Sequence, residues 1–416
     1  MAEDETRNRA LAKLSDQTLA PARSLAERTL ASLRDPSDST LAVPRRLIVA
    51  ADGSEMFPTI NAAIAVAVDG DEIVVEPGRY VEHLTINRSI KISGHGPRDR
   101  IILAPITPEG PCIAITGGAP HLIGFTIDGI AVDVAPGISV GRRAPDLILV
   151  TGGAPVLVSL DLCGGWGARF SGTGTEGAIR FCAIHDGIVG VLANAGARPS
   201  IEDNEIWATE AAGIAIGHSG SNPTVRGNRI HDGLKAGIVI RSGASARIEE
   251  NEIWGHVGEA IVIDSGSALV VRANRIHDGM TGIAVYSADT RIEDNEIWSN
   301  GAYGIVVGAD ALISANSIHG GRDGFFPAIL VHRGSAPRIE DNEIWANAGQ
   351  GIEVKGSGTS PMICGNLVRD GLGDGISVLD GSSPTIDGNT VTGNALRQIR
   401  VSDNASPVIG ENVISA

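Results

Sequence analysis

One asparagine recurs through the second half of the chain and limits the fold more than any other feature. It occupies the same point of a repeating unit, at intervals of 21 to 26 residues. Its positions are Asn204, Asn228, Asn251, Asn274, Asn295, Asn316, Asn342, Asn366, Asn389 and Asn412. A period of this length is typical of a solenoid, in which each unit stacks on its neighbours and none folds alone.

Each unit contains short alternating apolar segments, such as Ile201-x-x-Asn204-x-Ile206 and Ile214-x-Ile216, separated by Gly-rich turns. Neither segment is long enough to form an ordinary helix, so we interpret both as strands. Equivalent strands of successive units run in the same direction, and parallel pairing adds about 4.8 Å of rise per coil. The usual chirality of parallel crossovers makes the coil right-handed. The sequence therefore predicts an all-β, right-handed parallel β-helix.

The recurring asparagine fits the inside of such a coil. An inward carboxamide at a corner can accept a hydrogen bond from one turn and donate to the next, which satisfies polar groups that burial would leave unpaired. Upstream coils carry Cys182, Leu160 and Phe125 at the same point, so apolar residues replace the asparagine ladder there.

The repeat pattern divides the chain into four segments. An amphipathic helix from about Pro58 to Val68 is expected to cap the first coil, followed by strands around Ile73 to Val75 and His83 to Ile86. The four predicted segments are a helical N-terminal extension over 1–44, the cap and first coils over 45–110, degenerate coils over 111–198 and regular coils over 199–416.

The last coil, SPVIGENVISA, carries no capping segment before Ala416. An uncapped parallel edge favours strand pairing with another chain. We therefore expect either a homodimer through this C-terminal end or its capping by a partner or by the N-terminal helices.

Composition excludes several function classes. The formal charge of −16, from 33 basic and 49 acidic residues, argues against binding of nucleic acid. No apolar signal region and no stretch of 18 apolar residues is present, so we predict a cytoplasmic protein without membrane insertion. The four cysteines, Cys112, Cys163, Cys182 and Cys364, lie far apart without CxxC spacing, which predicts no disulfide scaffold, no metal site and no cofactor.

Charges alternate in sign from coil to coil in two columns. The residue after each ladder asparagine is Glu205, Arg229, Glu252, Arg275, Glu296, Ser317 and Glu343. The residue two before it is Glu202, Arg226, Glu249, Arg272, Glu293, Ser314 and Glu340. Opposite charges on neighbouring strands contribute about 0.2 to 1 kcal/mol a pair, whereas like charges destabilise. We interpret both columns as register devices and the true repeat as a pair of coils.

A third outward column alternates histidine with tryptophan, and we call it the aromatic row. Its members are His185, Trp207, His231, Trp254, His277, Trp298, His319 and Trp345. The row is either a structural stack or a platform, about 34 Å long, for a sugar chain or an extended peptide. Alternate histidines lie about 9 to 10 Å apart, too far to share one metal ion.

Three of these histidines begin His-Asp-Gly turns, with Asp186, Asp232 and Asp278 as the acids. Carboxylates about 9 to 10 Å apart lie at the upper end of the range for an inverting glycosidase. Asp-Gly is also a common turn dipeptide, and repetition in every second coil favours an architectural role.

One outward column breaks the repeat, just beyond the last strand of each coil. No stacking rule generates its residues, which together suit an acidic or hydroxylated ligand; ordinary variation of exposed positions is the alternative. We call this set, with the residues beside it, the irregular column: Arg241, Asp264, Tyr286, His332, Arg333, Glu353 and Lys355. No other catalytic motif was found, so the catalytic residues stay unassigned.

The motifs I-E-D-N-E-I-W and N-R-I-H-D-G, with the G-I-x-I strands, resemble the right-handed β-helix repeats of the CASH (carbohydrate-binding and sugar hydrolase) class. They are most similar to the repeats of an F-box-only ubiquitin-ligase substrate receptor, which has Phe where this chain has Trp. The likeness covers 199–416. Residues 47–90 resemble the opening of pectin methylesterase and related pectate-lyase-like proteins, through Asp52-Gly53, Phe57, Thr59-Ile60, Ala63 and Gly78-x-Tyr80.

The resemblance implies two functions. In F-box relatives the β-helix is a protein-binding surface, whereas the lyases, epimerases and esterases act on polyuronates. This chain has no recognisable F-box sequence, no compact outward Asp cluster for Ca²⁺ beside a basic residue, and no esterase motif beyond the cap. Our hypothesis is a non-catalytic scaffold or binding protein for a protein or polysaccharide. The alternative is a polysaccharide-active enzyme: a uronate lyase, an epimerase or a glycoside hydrolase.

Overall fold

The computed structural model describes residues 43–129, 144–264 and 268–415, which wind into a parallel β-helix of about 15 turns. Each full coil contributes three strands, one to each of three sheets with 16, 15 and 14 strands. The all-β parallel β-helix predicted from the sequence is confirmed.

The division of a coil into two strand segments was wrong. The segment from Ile201 to Ile206 splits into Ser200–Glu202 and Glu205–Trp207, which lie on different sheets. Asp203 between them has a φ of 53°, in the left-handed region. A single residue in this conformation turns the chain through a corner, and the alternation of apolar side chains does not reveal it.

The strands of each sheet follow one another in chain order. The first sheet comprises Arg46–Val49, Glu72–Val75, Lys91–Gly94, His121–Ile123, Val156–Val158, Ala178–Arg180, Ser200–Glu202, Thr224–Arg226, Ala246–Glu249, Leu269–Arg272, Arg291–Glu293, Leu312–Ser314, Arg338–Glu340, Met362–Cys364, Thr385–Asp387 and Val408–Ile409. The second comprises Gly78–Val81, Ile101–Ala104, Thr126–Asp128, Asp161–Cys163, Ala183–His185, Glu205–Trp207, Arg229–His231, Glu252–Trp254, Arg275–His277, Glu296–Trp298, Ser317–His319, Glu343–Trp345, Leu367–Arg369, Thr390–Thr392 and Val413–Ser415. The third comprises Leu84–Ile86, Ile113–Ile115, Asp146–Val150, Trp166–Ser171, Val189–Asn194, Ala212–Gly217, Ala236–Arg241, Glu259–Ile263, Thr281–Val285, Ile305–Val307, Ile329–Val331, Ile352–Lys355, Ile376–Leu379 and Ile399–Val401.

Inward side chains from the three sheets form one hydrophobic core that runs from Leu47 to Val391. In one coil the core positions are Ile201, Ile206 and Ile214, each fully buried. Branched aliphatic side chains pack well on a pleated surface, and a column of identical residues lets each coil repeat the packing of the last. The core continues across the predicted boundaries at 110 and 198.

The predicted asparagine ladder is present at the corner between the first and second sheets. Asn204 Nδ2 donates to the Ile179 carbonyl oxygen and to Asn228 Oδ1, both at 2.9 Å. The Asn204 backbone N–H also donates to Asn228 Oδ1, at 3.1 Å. The same bonds recur along the column as far as Asn412. Each buried carboxamide thereby satisfies itself and the corner backbone.

A second inward polar column, which the sequence analysis missed, lines the next corner. Gly279 N–H donates to Asn300 Oδ1 at 3.1 Å, and the pairs Gly321–Asn347 and Gly371–Asn394 repeat this bond. Glycine alternates with a larger polar residue in this column, because the larger side chain of one coil fills the space beside the glycine of the coil before it. A Cβ at Gly233, for example, would lie only 2.8 Å from His256 Nδ1. The two-coil repeat therefore extends into the interior.

A short helix, Ile60–Val66, lies against the first strands and is shorter than the predicted segment Pro58 to Val68. Thr59 caps it by accepting a hydrogen bond from the Ala62 N–H at 3.2 Å. Ile60, Ala63 and Ile64 are buried in the core cluster. The strands predicted nearby are Glu72–Val75 and Leu84–Ile86. A 3₁₀ turn follows at Arg98–Arg100.

The predicted N-terminal helical extension lies outside the described residues, except for its last two positions. No helix in the described ranges is long and apolar enough to cross a membrane. The last coil leaves several apolar side chains exposed: Val408 at 65%, Ile409 at 48%, Val413 at 64% and Ile414 at 53%.

Candidate functional site

The aromatic row is a continuous stack on the outer face of the second sheet. Strand register sets each member directly opposite the next, as in Trp207 against His231. Successive ring planes lie within 3° to 17° of parallel. Ring centroids are 4.1 to 4.3 Å apart from each histidine to the tryptophan that follows. They are 5.9 to 6.1 Å apart from each tryptophan to the next histidine. The row therefore consists of four tight His–Trp pairs.

Carboxylates hold the histidines of the row in place. His231 Nδ1 lies 2.8 Å from Asp232 Oδ2, and its Nε2 lies 3.6 Å from Glu205 Oε1. His277 repeats this arrangement, and its side chain, like that of His231, is only 15% exposed. The aspartates of the His-Asp-Gly turns thus bind their own histidines. This geometry favours the structural interpretation of the row, because its rings cover one another and the aspartate of each His-Asp-Gly turn binds Nδ1 of its own histidine.

The first charge column also interacts as its alternating signs predict. Arg229 Nη1 lies 3.0 Å from Glu205 Oε1, and its Nε lies 3.8 Å from Glu252 Oε2. Its guanidinium carbon also lies 5.2 Å from the Trp254 ring centroid. Arg275 bridges two glutamates in the same way. Since these side chains are about half exposed, each pair contributes little alone, and the column acts mainly on register.

The second charge column pairs differently from the prediction. Arg226 binds Glu250 at 2.8 Å, and Arg272 binds Asp294 at 2.9 Å. Glu249 instead lies 3.3 Å from Arg247 on its own strand. Each arginine reaches an acid at the left-handed corner of the next coil, where the turning backbone carries the carboxylate toward it.

The irregular column lies on the outer face of the third sheet. Gly217 pairs with Arg241 at its start, and Lys355 pairs with Leu379 near its end. Arg241 and Asp264 lie on the two coils before Tyr286, about 10 Å and about 5 Å from it by coil rise. The column from Arg241 to Lys355 is therefore about 24 Å long.

The structure brings Tyr286, His332 and Arg333 together. The Arg333 guanidinium carbon lies 4.4 Å from the Tyr286 ring centroid. The rings of Tyr286 and His332 meet edge to face, with centroids 6.4 Å apart. Tyr286 reaches across the intervening coil because Gly308 stands there; a Cβ at Gly308 would lie 2.8 Å from Tyr286 Cδ1. We call these three side chains the Tyr286 cluster.

An apolar floor supports the Tyr286 cluster. Ala284, Val306 and Leu330 are buried in the neighbouring outward column, and Tyr286 and Tyr303 pack against them. This floor holds the phenol ring against the sheet, and Arg333 lies over the ring.

The floor becomes polar on the next coil, where Glu353 follows Leu330. Glu353 is 8% exposed, and Lys355 Nζ lies 2.9 Å from its Oε1. That hydrogen bond is the main cause of a raised pKa at Lys355. Lys355 is therefore held as a cation at the end of the irregular column.

The polar floor extends to residues that the sequence analysis missed. Asp374, 3% exposed, accepts from Ser377 Oγ at 3.2 Å and lies 3.5 Å from Arg400 Nη1. The sequence contained a sign of this polar floor, because the outward column that includes the apolar floor changes from apolar to polar residues along the coils. The members of that column are Val262, Ala284, Val306, Leu330, Glu353, Ser377 and Arg400.

His332 has the buried ring nitrogen of the cluster. Its Nε2 has no hydrogen-bond partner among the residues that the structure describes. Burial, with the positive charges of Arg333 and Lys355, lowers the pKa of His332. A neutral imidazole with an unpartnered nitrogen can accept either a hydrogen bond or a proton from a ligand.

Sequence reasoning also missed a group of metal-type donors at the start of the aromatic row. Atoms of Cys163, His185 and Asp186 lie within 4.8 Å of one another. These donors meet only when the coils are stacked, so the spacing of cysteines along the chain does not reveal them. The prediction of no metal therefore rested on spacing alone.

A family model described as "Right handed beta helix region" matches residues 158–276 and 259–414, together more than half of the chain. The chain therefore belongs to the right-handed β-helix family. No curated protein matches it.

Several solved structures are similar in fold. The A-module of mannuronan C-5 epimerase AlgE6 from Azotobacter vinelandii is 14% identical, with 86% of this chain and 93% of that chain covered and a TM-score of 0.44. The catalytic unit of a GH87 α-1,3-glucanase from Streptomyces thermodiastaticus is 15% identical, with 92% and 70% covered and a TM-score of 0.48. The periplasmic alginate epimerase AlgG is 15% identical, with 83% and 77% covered and a TM-score of 0.44. These likenesses concern the fold alone.

Proposed function

We propose that this protein is a non-catalytic binding protein that presents the irregular column to an extended, carboxylate-bearing carbohydrate chain. The Tyr286 cluster is the observation that carries the proposal. An aromatic ring on an apolar floor, an arginine stacked on it and a histidine with a free nitrogen together suit a ligand with both apolar ring faces and acidic or hydroxyl groups.

The charges around the cluster support this choice of ligand. The chain is acidic overall, yet the irregular column carries three cations, Arg241, Arg333 and Lys355, against two acids, Asp264 and Glu353, of which Glu353 is paired with Lys355. Arg333 is also pre-organised by its contact with Tyr286, so little side-chain entropy is lost when it binds a carboxylate. A protein segment rich in acidic residues is the second ligand that such a face would accept.

Calorimetric titration with a panel of polyuronates and neutral polysaccharides tests the proposal. We expect wild-type protein to bind a polyuronate, and the Arg333→Ala variant to bind it about tenfold more weakly, because a charge-assisted hydrogen bond contributes about 1.5 kcal/mol or more. Arg291→Ala, which removes an exposed arginine of the first sheet, is the matched control and should bind the polyuronate as wild type does. Absence of binding to every polyuronate would contradict the carbohydrate assignment.

His332 favours one alternative, a polyuronate lyase or epimerase. In that reaction Arg333 would neutralise the substrate carboxylate, and neutral His332, once a side-chain rotation exposes its buried Nε2, would take the proton from the adjacent carbon. The electron pair of the broken C–H bond would pass into the carboxylate. In a lyase that pair would return and expel the glycosidic oxygen, which would take a proton from solvent water. In an epimerase the carbon would instead take a proton from solvent water on the opposite face.

The two functions are distinguished by products. An enzyme would form unsaturated or epimerised uronates, and His332→Gln would abolish turnover while binding survived. A binding protein would form neither product, and the same variant would lose affinity by a modest factor.

Self-association through the last coil also stays a proposal. It is supported by the four exposed apolar residues there, among them Val408 and Val413. Light scattering of wild type and of Val413→Lys tests it: a dimer that becomes a monomer in the variant supports the proposal, and a wild-type monomer contradicts it.

A further inference from the structure

We propose that Cys163, His185 and Asp186 form a binding site for one zinc-like transition-metal ion at the beginning of the aromatic row. A sulfur, a ring nitrogen and a carboxylate oxygen from these residues lie within 4.8 Å of one another. Cys163 and His185 are direct partners on adjacent strands of the second sheet. Asp186 follows at the corner with a φ of 54°, which turns its carboxylate back toward the imidazole.

The repeat itself shows what is special about this coil. His231–Asp232 and His277–Asp278 have the same geometry as His185–Asp186, with Nδ1 to Oδ2 distances of 2.8 Å. Their partners on the preceding strand, however, are Trp207 and Trp254, whose rings stack on the histidines. Before His185 the partner is Cys163, so a thiol stands where the architecture otherwise uses an indole. Cys163 is therefore the donor that sets this coil apart from the other His-Asp-Gly coils.

A further carboxylate orients the imidazole. Asp161 Oδ1 lies 3.0 Å from His185 Nε2, while Asp186 Oδ2 lies 2.7 Å from Nδ1. With Asp161 accepting the Nε2 hydrogen, the metal would take the place of the proton between Nδ1 and Asp186, and that proton would leave to solvent. A carboxylate behind a ligating histidine fixes its tautomer in this way and raises its basicity. Asp161 is thus a positioning residue.

The donor set selects the class of ion. Thiolate and imidazole favour Zn²⁺ and Co²⁺ over the oxygen-seeking Ca²⁺ and Mg²⁺. Tetrahedral coordination requires donor atoms about 3.3 to 3.7 Å apart, so donors that lie within 4.8 Å of one another would draw closer when the ion binds. Asp186 is exposed and Cys163 partly so, and three protein ligands leave a fourth position open to water or to an exchangeable ligand.

Titration of the reduced full-length protein with Co²⁺, followed by its absorption spectrum, tests the site. We expect one equivalent to bind with a thiolate-to-cobalt charge-transfer band, and Zn²⁺ to displace it. Cys163→Ser should abolish the band. Asp161→Asn should keep the band but weaken the affinity about 10- to 100-fold, as removal of an outer partner does at other metal sites.

Two variants serve as matched controls. Cys364→Ser removes the other partly exposed thiol, and Asp232→Asn alters the same turn where no cysteine is opposite. Both should bind Co²⁺ as wild type does, whereas Asp186→Asn should bind at least about tenfold more weakly. Circular dichroism melting without metal checks that each variant folds; if Asp186→Asn unfolds, Cys163→Ser decides.

The proposal is overturned by any of three results. These are a wild-type protein that binds no Co²⁺ with a charge-transfer band, a band that survives in Cys163→Ser, and a band lost equally in Cys364→Ser.

Discussion

The second and third sheets of this solenoid differ in how they use their outer faces. On the second sheet, the rings of the aromatic row stack on one another and its histidines bind carboxylates of the same or neighbouring coils. On the third, Tyr286 reaches across a glycine to contact His332 and Arg333 two coils away. The repeated groups thus contact one another from coil to coil, and the column that breaks the repeat is where we propose that a ligand binds.

The largest expected effect is the loss of a ring from the aromatic row. Trp254→Ala removes stacking on His231 and His277 and a contact with Arg229, so we expect unfolding free energy to fall by about 2 to 3 kcal/mol. Tyr286→Ala on the other face should cost about 1 kcal/mol. Denaturant unfolding measures both. Trp254→Phe, which keeps a ring, should lose less; equal losses at Trp254 and Tyr286 would remove the distinction between the faces.

Charge reversal in the first charge column should lower the unfolding free energy by a smaller amount. Arg229→Glu places a third negative charge between Glu205 and Glu252, and we expect a loss of about 1 to 2 kcal/mol from the two altered pairs. Arg333→Glu, outside the alternating columns, should melt within a few degrees of wild type. An Arg229→Glu variant that melts normally would show that alternating charge does not stabilise the stack.

The histidines of the two faces should respond to pH in opposite directions. Hydrogen bonds to Asp161, then Cys163 and Asp186, raise the pKa of His185 to about 10. The folded state therefore holds this proton more tightly than the unfolded chain. The resulting stability is fully present below the ordinary pKa of 6.5 and is lost as pH rises toward about 10. His185→Gln should flatten the stability profile across that window.

At His332 the sign is reversed, because its pKa is lowered by burial and by nearby cations. Its contribution to stability is present above the ordinary pKa of 6.5 and is lost as pH falls through the lowered value. Melting temperature against pH for His332→Gln and wild type measures this small effect. A variant that flattens the alkaline side instead would contradict the assignment. His256, with a pKa lowered to about 4 by burial, contributes in the same direction and stays intact in both proteins.

Much of this architecture could be predicted from the sequence because it repeats. The spacing of Asn204 and Asn228 fixes the coil length, and that length fixes which outward residues are neighbours. The corner at Asp203 could not be predicted, since a left-handed φ leaves no trace in the apolar pattern. The alternation of Gly233 and His256 was visible in the two-coil repeat but was not used.

The candidate sites were less predictable from the sequence than the β-helix itself. Column order alone places Tyr286 two coils before His332, but only side-chain conformation brings Arg333 onto the tyrosine ring. The predicted aromatic row began at His185, so Cys163, its partner on the preceding coil, lay outside the predicted row. The contacts of both candidate sites thus involve residues that do not follow the two-coil repeat, and the repeat pattern does not predict their side-chain conformations.

The central claim is that the irregular column, and not the aromatic row, contacts the ligand. Arginine modification by phenylglyoxal, with and without bound polyuronate and read by mass spectrometry, tests it most directly. The account predicts that polyuronate protects Arg333 and Arg241, while Arg229 and Arg275 of the second sheet react at an unchanged rate. Protection of Arg229 and Arg275, with Arg333 left reactive, would contradict it.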